Sequence, residues 1–274
     1  ANTHVVHHAG KIMALEEGHW PFIIDEQLET IGPNNYEGKL KGSMTAHPKI
    51  CPETGELLAF GYSMTPPYLT YLRVSESGKL VQIEPISVKG ATMIHDFNVT
   101  RNHVIFMDLP AVWNLEGMAE TGLPVLWDES YGARLGVMPR NGGDQDITWY
   151  EIDPCYVFHP LNSYEDGEKI IIDVCRMDDT MKPGSSSPPM LFRWVIDQSK
   201  GTVTETQLDD RMADFPRVCD SKVGLKHHYG YCAAFAPSKP FADGFLKYDL
   251  EKNNSAFHNL RGGQGSEPVF VKNP

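Results

Sequence analysis

No stretch of this chain keeps apolar residues at helical spacing for more than about two turns, and that limits what it can fold into. Turn signals recur roughly every ten residues, as they do in sandwiches, barrels and propellers. The reading is therefore all-β. Apolar runs at 11–15 and 22–24 flank the breakers Gly18 and Pro21 and predict two strands, with Glu16 and Glu17 ending the first. PETGEL, 52–57, predicts a tight turn with Gly55 at positive φ, leading into a strand at 57–62. The runs 68–74 and 80–86 form a hairpin around ESGK, and 92–99 pairs with 104–109. Further strands are predicted at 148–152, 156–159, 169–175, 191–196, 202–208, 229–235, 244–249 and 268–271. Residues 115–144 are rich in Gly and Pro, keep only the short apolar run 135–138, and read as a long insertion.

Composition narrows the function classes. A length of 274 residues and a hydrophobic content of 41% allow a sizeable core. A formal net charge of −12, from 24 basic and 36 acidic residues, argues against nucleic acid as a partner and against electrostatic docking on anionic lipid. No apolar run approaches the ~20 residues of a transmembrane helix. Cys51, Cys155, Cys175, Cys219 and Cys232 are odd in number and contain no C-x-x-C pair. With an N-terminus that lacks a signal-peptide pattern, they point to free thiols and a cytoplasmic setting.

Three histidines stand in similar company: His47 in TAHPK, His95 in MIHDF and His159 in FHPLN. They lie 48 and 64 residues apart, so no single helix or hairpin holds them. A repeating β architecture can, because successive sheets can each deliver one side chain to a shared axis. Taken singly, such a histidine is more often a structural residue than a ligand, and the spacing matches no short metal motif.

Their surroundings carry more. TAHPKICPETGELLAFGY, MIHDFNVTRNHVIFMDLP and FHPLNSYEDG resemble the iron-ligand segments of the carotenoid cleavage oxygenases, a family that includes bacterial lignostilbene dioxygenases. The resemblance runs along the whole chain. It implies a seven-bladed β-propeller with Fe(2+) on its axis, and His47, His95 and His159 as three of four histidine ligands. The family's fourth histidine lies in a segment similar to PYGFHG, which this chain lacks, and His227, His228 and His258 have different surroundings. Residues 1–274 are thus expected to be part of one propeller domain, with N-terminal and C-terminal parts missing. By motif position the resemblance also implies three carboxylates behind the ligands: Glu17, Asp214 and Glu267. Asp214 departs from the glutamate common there, so its strand must sit closer or a water must intervene.

The remaining features receive plainer readings. His4, His7 and His8 belong to a half-exposed strand and His103 to a turn, whereas Arg134 and Arg140 brace a loop through backbone carbonyls. Trp20, Phe97, Trp113, Trp149, Tyr150 and Phe158 could line an apolar tunnel, though most read as core. The resemblance implies a dioxygenase that splits a carbon–carbon double bond of an apolar conjugated substrate with O2, giving two carbonyl products. An organic cofactor is not implied, peripheral membrane contact stays open, and the oligomeric state is not indicated. Lignostilbene-type relatives carry lysine before the first carboxylate, where this chain has Glu16, which favours an apocarotenoid over a hydroxystilbene. A retinoid-ester isomerase and a non-catalytic propeller that binds a protein are the other readings.

Overall fold

The computed structural model describes residues 3–182, 184, 187–237 and 240–271. Within them, five antiparallel sheets of four strands follow one another along the chain. The first joins β1 (His4–His8), β2 (Lys11–Leu15), β3 (Phe22–Ile24) and β4 (Thr30–Pro33). The second joins β5 (Lys49–Ile50), β6 (Leu57–Tyr62), β7 (Leu69–Val74) and β8 (Leu80–Ile86). In the third, β9 (Asn98–Val99) and β10 (His103–Asp108) are followed by a two-stranded hairpin, β11 (Ala111–Trp113) and β12 (Val125–Trp127). That sheet is completed by β13 (Ala133–Pro139) and β14 (Thr148–Ile152). The fourth runs through β15 (Tyr156–Asp166), β16 (Lys169–Met177), β17 (Met190–Asp197) and β18 (Thr202–Gln207), and the fifth through β19 (Ala213–Arg217), β20 (Tyr229–Ala234), β21 (Gly244–Asp249) and β22 (Asn254–Asn259). Helix is confined to one α-turn, Met118–Thr121, and three short 3₁₀ turns among the described residues.

Burial explains why these segments are strands. In β16, KIIIDVCRM, every residue after Lys169 is buried, as expected of a strand covered on both faces. Outer strands differ: β8, LVQIEPI, alternates, and β18 and β22 are largely exposed. Alternate residues of an inner strand serve two neighbours. Leu57 and Ala59 pack with Met13 and Leu15 of the first sheet, while Leu58 and Phe60 pack with Val104 and Phe106 of the third. Leu135 and Val137 then meet Ile172 and Trp194, and Cys175 and Leu191 meet Ala213 and Cys232. Each sheet therefore packs face to face on the next, with burial worth about 1.5–3 kcal/mol per large apolar side chain. Five sheets handed on in this way are five blades of an all-β propeller. The first strand of each blade, β1, β5, β9, β15 or β19, lies at one edge of its sheet.

Three strand expectations are corrected. Residues 115–144 are not simply an insertion, because β13 is a central strand paired with both β10 and β14. Arg134 and Gly136 hid it, and both serve packing: a Cβ at Gly136 would meet the Trp149 ring at 2.6 Å, and Arg134 lies over that ring at 3.9 Å. The 92–99 strand shrinks to β9 plus an isolated bridge between Thr92 and Val112, since the chain leaves the sheet where it carries His95 inward. At the C-terminal side 268–271 forms no strand, and the unpredicted fourth strand is the mostly polar β22. The turn at Gly55 has φ +68, as expected.

Candidate metal centre

Each of the three motif histidines stands on or just before the first strand of a blade. His47 precedes β5 by two residues, His95 precedes β9 by three, and His159 is the fourth residue of β15. Their ligating nitrogens all lie within 4.8 Å of one another. His47 Nε2 is 3.0 Å from His95 Nε2, which is 3.1 Å from His159 Nε2. No other histidine, cysteine or carboxylate joins this group among the described residues.

The backbone is bent to achieve this. The β15–β16 register shifts between Val157 and Pro160, so His159 sits in a bulge, a device that re-aims a side chain. A second shift, between Asp214 and Arg217, places the carboxylate of Asp214 at 2.9 Å from His159 Nδ1. The shorter aspartate thus makes direct contact because its strand comes closer. Phe215, next in sequence, holds φ +51, a region costly for a bulky residue, and its ring lies 4.9 Å from that of His159.

His95 presents Nδ1 to Glu17, and Tyr62 donates from its hydroxyl to the other Glu17 oxygen at 2.8 Å. Burial opposes the charge on His95, but the hydrogen bond and charge of Glu17 win and raise its pKa above the usual imidazole value. Burial likewise pushes Glu17 up, but the hydrogen bond and charge of His95 together with the bond from Tyr62 outweigh it, so Glu17 stays below the ordinary carboxylate range. His47 has no carboxylate at bonding distance. Asp96 stands 3.8 Å from its Nδ1 and is engaged by Lys49 Nζ at 2.8 Å and by the Phe97 amide at 2.7 Å. Burial, the Lys49 charge and the neighbouring imidazoles hold His47 far below the usual value, which leaves it neutral.

This donor set fits a divalent cation. With the Nδ1 protons of His95 and His159 held by carboxylates, their Nε2 lone pairs face one another at 3.1 Å. Lone pairs so close repel unless a proton or cation lies between them. Nitrogen donors braced by carboxylates suit a transition metal.

Other sequence expectations divide. Glu267 accepts from Arg217 and makes no hydrogen bond to a described histidine. His4 and His8 are not simple surface residues: they reach across to the second blade, with Nδ1 of His4 at 2.9 Å from the Ala46 carbonyl and Nε2 of His8 at 2.9 Å from that of Gly55. His103 opens β10 and bonds to Glu165 at 2.9 Å. Arg140 does reach a backbone carbonyl, that of Thr100, whereas Arg134 pairs with Asp108 at 2.8 Å. Of the aromatics, the Phe158 ring stands nearly perpendicular to that of His95 with 5.5 Å between the ring centres, and Trp113 walls a cavity; Phe97 and Tyr150 are core. Tyr62 was not singled out by the sequence. It stacks on Trp113 at 6.4 Å, and both line a cavity of about 650 Å³ that also includes Glu17, Met64 and Pro85.

The fold and the site define a β-propeller with a cluster of three imidazoles at its hub. Residues 1–274 match the family model described as RPE65, retinal pigment epithelial membrane protein, and the chain belongs to this RPE65/carotenoid oxygenase family. It is 34% identical over 281 residues to a carotenoid cleavage oxygenase of Mycobacterium tuberculosis, covering 84% of this chain and 56% of that protein. Among solved structures it resembles a lignostilbene dioxygenase of Pseudomonas brassicacearum, with TM-score 0.88 and 30% identity over 98% of this chain and 63% of the other. A cobalt-substituted Synechocystis apocarotenoid oxygenase gives TM-score 0.84 and 26% identity, over 98% and 62%. The chain spans about half the length of the curated relatives it matches.

Proposed function

We propose that the intact protein is a non-haem iron(II) dioxygenase that cleaves a carbon–carbon double bond of a conjugated, apolar substrate into two carbonyl products. The observation that carries this is the convergence of His47, His95 and His159, two of them braced by Glu17 and Asp214. Iron(II) held by these imidazoles would supply the binding and activation of O2. The chain's own residues do the rest. Glu17 and Asp214 keep the Nδ1 protons in place so that each Nε2 points at the hub. Phe158 and Phe215 set aromatic rings beside His95 and His159. The cavity between Tyr62, Trp113 and Pro85 offers a mostly apolar berth next to Glu17.

A fourth histidine from a further blade, with Glu267 behind it, would complete the ligand set. Exposed Val5 and Ile31 on the first sheet and Phe257 on the fifth support more blades packing there, toward a ring of seven. Five free cysteines, four of them buried, support a reducing compartment such as the cytoplasm. No described helix is long and apolar enough to cross a membrane.

For substrate, Glu16 is the deciding residue. A carboxylate repels a phenolate and cannot lower a phenol's pKa, which favours an apocarotenoid over a 4-hydroxystilbene. The likeness to a lignostilbene dioxygenase favours the stilbene. Iron-loaded intact protein is therefore assayed under ¹⁸O₂ with an apocarotenal and a hydroxystilbene side by side. Label in both carbonyl products and preference for the apocarotenal are expected. Preference for the stilbene overturns the substrate assignment, and absence of iron and turnover with both overturns the enzyme in favour of a binding propeller.

A further inference from the structure

Three carboxylates approach the histidine cluster, and each is held differently. Asp214 accepts His159 Nδ1 and, on the same oxygen, the backbone amide of Phe215 at 2.8 Å, so its second anchor is rigid main chain. Asp96 is consumed by Lys49 and by its own neighbour's amide. Glu17 alone takes its second donor from a side chain that also walls the large cavity. The Tyr62 hydroxyl donates to Glu17 Oε2 at 2.8 Å, while Oε1 takes His95 Nδ1. The Tyr62 ring, half-buried at the end of β6, lies against Trp113 with 27° between the planes, and both rings face the cavity. Trp113 comes from the β11–β12 hairpin, outside the four-stranded blades.

We infer that Tyr62 is a positioning residue that couples occupancy of the cavity to the orientation of the His95 imidazole, acting through Glu17. A carboxylate shared between two donors divides its hydrogen-bonding capacity and its torsional freedom between them. A molecule pressing the Tyr62 ring moves the phenol donor, Glu17 rotates to follow, and the His95 ring follows Glu17. His159, anchored on main chain, stays. The significance for a bound metal rests on the proposed function, but the relay itself is a property of the protein alone and is tested without metal.

The test is side-chain ¹⁵N NMR of the histidine-labelled, metal-free chain. In Tyr62→Phe the His95 nitrogens shift while those of His159 keep their positions, and Tyr71→Phe, which removes a hydroxyl bound to the Arg140 carbonyl elsewhere in the second blade, leaves both unmoved. Titrating the wild-type chain with trans-stilbene as an apolar probe shifts the His95 signals, and Tyr62→Phe reduces that response. Unchanged His95 signals in a folded Tyr62→Phe chain overturn the relay, as does an equal shift of His159. If Tyr62→Phe does not fold, Glu17→Gln reads the relay from its middle. Both the Tyr62 ring signals and the His95 nitrogens then move, and a stationary Tyr62 overturns the proposal. Because no turnover is measured, failure here leaves the dioxygenase assay standing, and failure of that assay leaves the relay standing.

Discussion

Asp214 touches His159 where the β19–β20 register shifts, and Phe215 beside it holds a positive φ. Replacing Asp214 by Asn keeps the shape and removes the charge that makes the imidazole a stronger donor to a metal. In the iron-loaded intact protein this change is expected to weaken metal affinity or activity roughly ten- to a hundredfold, the usual effect of losing such a partner. Ala at His47, His95 or His159 is expected to abolish turnover. Metal content and initial rates check both, and an Asp214→Asn protein indistinguishable from wild type would place that carboxylate outside the site. At this scale the sequence was legible where family motifs ran through the cluster: the three motif histidines come within 4.8 Å of one another, and Glu17 and Asp214 contact two of them. Tyr62 was not legible, because FGY reads as the end of a strand and its hydroxyl contact joins residues 45 apart. Phe215 was hidden for a related reason, since nothing in ADFPRV announces a positive φ.

Between the third and fourth blades one carboxylate adds a polar link to the apolar packing. Glu165, at the end of β15, accepts from Thr100, from the amide and side chain of Asn102, and lies 2.9 Å from His103 Nδ1. Burial pushes its pKa up, but the bonds from His103, Thr100 and Asn102 outweigh that and bring it down to about 2 from an ordinary 4.5. A folded-state pKa below the unfolded one gives stability that is complete above the unfolded value and is lost as pH falls toward the folded one. Discounted for screening by solvent at this partly exposed group, the contact is expected to contribute at most about 2 kcal/mol near neutral pH and to fade between roughly pH 4.5 and 2. Urea midpoints of wild type and Glu165→Gln should differ at pH 7 and converge across that window. A gap that persists undiminished at the acid end would show that packing, not charge, is what the substitution removes. Element boundaries were legible where one face is buried and the other wet, as in β8, because apolar alternation reports that geometry, and where a short run is apolar on both faces, as in β6. β22 lacks it, being an outer strand with little to bury, and β13 was interrupted by Arg134 and Gly136, whose role appears only when Trp149 of the neighbouring strand is beside them.

Blade-on-blade packing is what brings three sequence-distant imidazoles together, and it leaves no local trace in the sequence. The number of sheets and their order around the hub follow from which face of each strand is apolar, information spread over the whole length. The same dependence sets the last prediction. Each of the three histidines hangs from a different blade, so the geometry of the cluster is only as stiff as the contacts between neighbouring blades. Those are extensive between the second, third and fourth blades, which carry His47, His95 and His159. Three neutral imidazoles alone would nevertheless leave a first-row metal ion short of ligands, and the proposed fourth histidine is the group that would supply one more. The 274-residue chain alone, reconstituted with iron(II) under argon and passed through a desalting column, is therefore expected to retain well under one iron per chain and to show no alkene cleavage. His95→Ala should then lower even that residue of binding to background, which separates weak binding at the hub from loose iron on a surface of net charge −12. Stoichiometric iron that survives desalting, together with turnover, would mean that three histidines suffice and that no fourth ligand is needed.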